Sequence, residues 1–106
     1  MKVLPQNFRE YRVKIIPAED APRPAKYPDN VGYRTKFGGK PDHIQDSGDD
    51  GGKSCDVCGQ AMHFIAQIDS FENDHPKPHF MFGDDGMIYV WYCFHCGEPC
   101  ATTECH

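Results

Sequence analysis

The chain has no apolar run long enough to cross a bilayer, and no segment whose apolar residues keep a helical period for more than two turns. The first absence excludes a helical membrane anchor, and the second excludes a helical bundle. No N-terminal stretch joins a basic flank to a long apolar core, so no secretory signal is expected and a reducing, cytoplasmic setting is assigned to the cysteines. Also missing are Gly-x-Gly-x-x-Gly, a P-loop, His-Glu-x-x-His and a Ser-His-Asp order, which removes the common nucleotide-binding, protease and hydrolase readings. Nearly all carboxylates fall in loops, with no apolar setting to tune them for acid–base work. Catalysis has no assembled candidate.

What the chain does have is cysteine in a specific spacing. Two copies of Cys-x-x-Cys-Gly occur, Cys55-Asp-Val-Cys58-Gly59 and Cys93-Phe-His-Cys96-Gly97. The two-residue gap curls the backbone so that both sulfurs of a copy converge on one ion, and the following glycine can adopt a left-handed conformation that aims amides at the sulfurs. Together the two zinc knuckles offer four thiolates, the donor set of a structural Zn2+ site of zinc-ribbon type. Four protein thiolates leave no open position for water or substrate, which argues against zinc catalysis. At 106 residues the chain is read as one domain, 1–106, too small to bury most of its apolar surface, so a metal crosslink adds needed stability.

The net charge of −5 conceals a division. Residues 1–40 carry nine Lys or Arg and four acids, whereas residues 41–106 carry two Lys and twelve acids. The basic N-terminal segment is expected to lie against the acidic metal-binding half. A nucleic-acid partner is disfavoured, because the acidic metal module would repel a phosphate backbone.

Period-two alternation in Tyr11-Arg-Val-Lys-Ile-Ile16 predicts a strand with Tyr11, Val13 and Ile15 on one face, ended by Pro17. Four prolines within residues 17–30 forbid helix and predict an extended strap. Residues 31–37 form a short predicted strand closing on the Gly38-Gly39 turn. Residues 46–54, with Asp46, Asp49 and Asp50 among glycines, read as a loop without fixed structure and not as a calcium site, since EF-hand spacing is absent. In residues 61–69 the residues Met62, Phe64, Ala66 and Ile68 alternate as one buried strand face. An aromatic hairpin is predicted from residues 80–82, the turn 83–86 and residues 87–93. The last of these strands is apolar on both faces, so it belongs in the centre of the sheet, and it delivers Cys93 to the metal.

Other candidate ligands are weaker. His75 and His79 are spaced for a helix that Pro76 and Pro78 forbid. His63 reads as a satisfied structural histidine, and His95 lies inside the second knuckle, where it could replace a thiolate. Residues 98–106, with Cys100, Cys105 and His106, form a Cys-rich tail open to three roles: a second metal, ligand exchange, or a frayed reduced end, the last being the one expected.

Four pieces in fixed order carry a family resemblance: Phe37-Gly-Gly-Lys-Pro-Asp-His-Ile-Gln45, the first knuckle, Met62-His-Phe-Ile-Ala-Gln-Ile-Asp69, and Gly86-Met-Ile-Tyr-Val-Trp-Tyr-Cys93-Phe-His-Cys96. Over about residues 36–97 the chain resembles the bacterial YwqG-like proteins and the N-terminal domain of programmed cell death protein 2. The resemblance implies a β-rich scaffold acting through protein contacts, its eukaryotic relatives escorting a small-subunit ribosomal protein. The Gln67 amide is expected to bond backbone groups at an irregular strand junction.

The combined expectation is a small, mainly β, antiparallel domain. It has a basic strand and Pro-rich strap (1–35), a family-like core (36–97) and a Cys-rich tail (98–106). One structural Zn2+ is held by Cys55, Cys58, Cys93 and Cys96, and the protein is expected to act as a structural adaptor, of chaperone-like kind, for a protein partner. The competing readings are a hydrolase using His63, His75, His79 and the Asp84-Asp85 turn around a second metal, and nucleic-acid binding through residues 1–40.

Overall fold

The computed structural model describes residue 10, residues 12–21, residue 26, residues 32–43, 52–70, residue 82 and residues 86–104. Four strands, β1 (Lys36–Phe37), β2 (His63–Asp69), β3 (Met87–Tyr92) and β4 (Pro99–Glu104), form one antiparallel sheet in the order β1-β2-β3-β4. The only helical element among the described residues is a single 3-10 turn, Ala18–Asp20. The fold is therefore mainly β, as composition and periodicity predict.

β3 lies between β2 and β4, in keeping with its apolar residues on both faces. Met87, Tyr89 and Trp91 are buried on one face, and Ile88, Val90 and Tyr92 are half-buried on the other. Phe64 meets Trp91 edge to face at 5.5 Å between centroids, and Met62, Cys55 and Cys93 complete the core cluster. Because Cys55 and Cys93 belong to that cluster, the core and the metal-site sulfurs are one packed unit.

The alternation expected in β2 fails halfway. A bulge between Phe64 and Ala66 shifts the register, so that Phe64 faces Trp91 but Gln67 faces Tyr89 and Asp69 faces Met87. The buried face therefore switches from even to odd positions. Gln67 and Asp69 are buried, and Ile68, expected inside, is 38% exposed.

Burying Gln67 and Asp69 is tolerable because both are bonded. The Gln67 side chain donates to the Arg34 carbonyl at 2.7 Å and accepts from the Asp42 amide at 2.9 Å. Asp69 Oδ2 accepts from the Gly32 amide, the Arg34 amide and Arg34 Nε, and Oδ1 accepts from the other end of the Arg34 guanidinium at 2.7 Å. This explains why the strand expected over residues 31–37 contracts to two residues. The amides that would pair with β2 backbone are taken by the Asp69 carboxylate instead.

Three further expectations are corrected. Residues 12–16 pair with no strand and are exposed. In the strap, Pro17 and Ala18 carbonyls accept from the Asp20 and Ala21 amides, giving the 3-10 turn where only extended chain was expected; three residues suffice for it between prolines. The tail is not frayed up to Glu104: Pro99–Glu104 pairs along all of β3, and Cys100 packs against the core. Of the acidic loop, Gly52 to Ser54 are described, and Ser54 bridges Ala61. Its residues 46–51, most of the 80–82 and 83–86 hairpin and the tail end 105–106 lie outside the described residues.

Candidate metal centre

The two knuckles are built alike. In the first, the Cys55 amide donates to the Gln60 carbonyl at 2.8 Å and the Gly59 amide to the Cys55 carbonyl at 2.9 Å. In the second, Cys93 donates to Glu98 at 2.9 Å and Gly97 to Cys93 at 2.7 Å. Each turn closes only because its glycine takes a positive φ, 80° at Gly59 and 84° at Gly97. The first knuckle is the turn between Ser54 and Ala61 that leads into β2, and the second joins β3 to β4. Adjacent strands β2 and β3 thus hold the two turns at the same end of the sheet.

The sulfurs meet across the knuckles. Cys55 Sγ lies 3.6 Å from Cys96 Sγ, and Cys58 Sγ 3.5 Å from Cys93 Sγ, with all four atoms within 4.8 Å of one another. A disulfide needs about 2.05 Å, and all four cysteines are free. Tetrahedral thiolate coordination at about 2.3 Å places sulfurs about 3.8 Å apart, so the four are spaced to hold a metal ion. The donor set, four soft thiolates, is that of zinc or iron–sulfur chemistry.

Backbone amides favour charge on these sulfurs. The Val57 amide points at Cys55 Sγ at 3.4 Å. The Cys93 thiol is lowered to about 7, chiefly by the Cys96 amide, with the Cys58 sulfur and the His95 amide adding to it against desolvation. Cys96 goes the other way, pushed up to about 12 by desolvation and by the neighbouring sulfurs of Cys55 and Cys93. At Cys58 the Gln60 amide favours the thiolate, but desolvation and the Cys93 sulfur outweigh it and the thiol is raised. The raised Cys58 and Cys96 thiols oppose full ionisation of the cluster, and a bound cation would offset that repulsion.

All four sequence-predicted ligands are brought together. His95 is exposed and stands outside the cluster, and Cys100 faces the core from β4. His63 is exposed, where a satisfied structural histidine was expected, with its ring edge-on to Phe94 at 5.1 Å; it lies on the strand face opposite Met62 and Phe64. His75, His79, Asp84 and Asp85 lie outside the described residues, so the second-metal arrangement is not placed.

Sequence reasoning missed His43. Its Nδ1 lies 3.1 Å from Glu104 Oε2, and the Tyr89 hydroxyl contacts Glu104 Oε1 at 3.0 Å and the Asp42 carbonyl at 2.9 Å. This polar cluster clamps residues 42–43 over the β3–β4 ladder. Nothing local in the sequence links positions 43, 89 and 104: the register of β4 on β3 brings Glu104 near Tyr89, and the Gln67 and Tyr89 bonds to Asp42 bring His43 to them.

No helix among the described residues is long and apolar enough to cross a membrane. Compared with known proteins, the chain matches no family model, no curated protein and no solved structure.

Proposed function

We propose that this protein is a zinc-stapled β domain that serves as a non-catalytic adaptor for a protein partner in the reducing cytosol. The observation that carries the reading is the closed four-sulfur cluster. Four thiolates fill a tetrahedral zinc site, leaving the ion no position at which to activate water. Zinc is favoured over an iron–sulfur cluster because each knuckle aims its two sulfurs at a single central ion.

The partner reading draws on surface chemistry. Val13, Ile15, Tyr33, Phe37, Val57 and Phe94 are each more than half exposed, a large apolar area for so small a domain. The order of motifs over residues 36–97 also suggests a scaffold working through protein contacts. Affinity purification with metal-loaded protein, followed by titration of the isolated partner, tests this. A saturable protein ligand lost in Cys58→Ser is expected, and the absence of any saturable protein ligand for the metal-loaded chain overturns the reading.

A further inference from the structure

Residues 12–16 belong to no strand or helix and are exposed. Among the described residues, none of their backbone groups has a hydrogen-bond partner. Val13 and Ile15 are 79% and 71% exposed. Across from them runs β1. Gly38 donates to the Ile65 carbonyl at 2.7 Å, and Lys36 lies opposite Gln67. By antiparallel alternation residues 36 and 38 bond β2, while the N–H and C=O of Thr35 and Phe37 point away from it. Two segments with unpaired backbone groups therefore border one open cleft of about 470 Å3, lined by Val13, Ile15 and Phe37 and by Lys14, Lys36 and Asp42. That volume falls within the roughly 300–1,000 Å3 of ligand-holding pockets.

We propose that this cleft receives an extended peptide of a protein partner, acidic residues alternating with apolar ones, which enters as a strand between β1 and residues 12–16. The proposal deepens the adaptor reading by naming its docking surface and partner chemistry. An added strand satisfies both segments at once, the mode by which peptides join open sheet edges. Apolar side chains of the peptide cover Val13, Ile15 and Phe37, whose exposure is otherwise unexplained. Charge sets the rest. Lys14 has no acidic partner among the described residues, Lys36 has Asp42 at 3.0 Å, and Arg12 meets only the exposed Glu10 at 3.6 Å. A second copy of the chain does not fit. β1 offers only two residues to pair, and residues 12–16 wall its outer side, so a single extended chain enters where a folded sheet edge is blocked.

The test uses the full metal-loaded chain and a capped Val-Glu-Val-Glu-Val peptide, followed by amide NMR. Saturable shifts confined to residues 12–16 and 35–37, with slowed exchange of the Phe37 amide, are expected. N-methylation of the central peptide residues is expected to weaken binding at least about tenfold, because the lost backbone bonds are what hold the strand. Replacing Glu by Lys in the peptide is expected to weaken it about fivefold, and Lys14→Glu to remove that preference. Shifts elsewhere, equal binding of the N-methylated peptide, equal binding of the Lys peptide, or residues 12–16 already paired to β1 in the free protein each overturn the proposal. Self-association through this cleft overturns it too. An Ile15→Ser/Phe37→Ser variant changes only exposed side chains and is expected to keep its metal. If that variant binds the purified partner unchanged, the cleft is wrong while the adaptor reading stands; if no partner is found, the peptide titration still decides the cleft.

Discussion

Asp69 accepts four hydrogen bonds from Gly32 and Arg34, and its side chain is 1% exposed. Removing one member of a buried ion pair leaves the other charge unmatched, at a cost of about 3–5 kcal/mol. Asp69→Ala is therefore expected to lower unfolding free energy by about that amount in a denaturant titration. Its neighbour Ile68→Thr is expected to change stability by no more than about 0.5 kcal/mol, as a partly exposed position. The reverse ordering would restore the unbroken alternation that the sequence suggests and would remove the bulge. At the metal centre, Cys58→Ser or Cys93→Ser is expected to lose the ion and most of the stability, because metal-binding energy is folding energy here. Cys100→Ser, outside the cluster, is expected to keep a full metal complement. Unchanged metal content and melting temperature in both ligand variants would contradict the assignment.

Among the elements, β4 departs furthest from expectation. Its residues Cys100, Thr102 and Glu104 continue the ladder that begins where the Cys93 amide meets the Glu98 carbonyl, whereas Pro99, Ala101 and Thr103 turn their backbone groups outward. Pro99 stands at an outward position, where a missing N–H costs nothing. Hydrogen exchange is expected to alternate along the strand, slow at Cys100 and Thr102 and fast at Ala101 and Thr103. Uniformly fast exchange would instead describe a frayed tail. The sequence hid this strand because Pro-Cys-Ala-Thr-Thr-Glu has no large apolar face of its own; its order comes from the knuckle that folds it back on β3. β3 was legible for the opposite reason, since Met87 to Tyr92 is aromatic or β-branched at nearly every position. The four ligands were legible because knuckle geometry is local, set by two-residue gaps and one glycine each. The bulge, the Asp69–Arg34 pair and the His43–Glu104 contact join residues 35 or more apart or depend on sheet register, and no local pattern encodes them.

In the whole molecule, the four-sulfur cluster links the sheet's core, through Cys55 and Cys93, to the surface at Cys96. The raised thiols of Cys58 and Cys96 are protonated in the metal-free cluster at neutral pH, so metal binding must release protons. Affinity is therefore expected to fall as pH is lowered, with protons displacing the ion from its sulfurs; release to a chromophoric chelator across a pH series checks this. Affinity independent of pH would mean that the thiols are not the ligands. The most direct measurement is X-ray absorption at the zinc edge on protein purified with its native metal. One zinc per chain, surrounded by four sulfurs at about 2.3 Å with no lighter ligand atom, is expected. A shell containing nitrogen or oxygen, or a chain that folds with no stoichiometric metal, would contradict it.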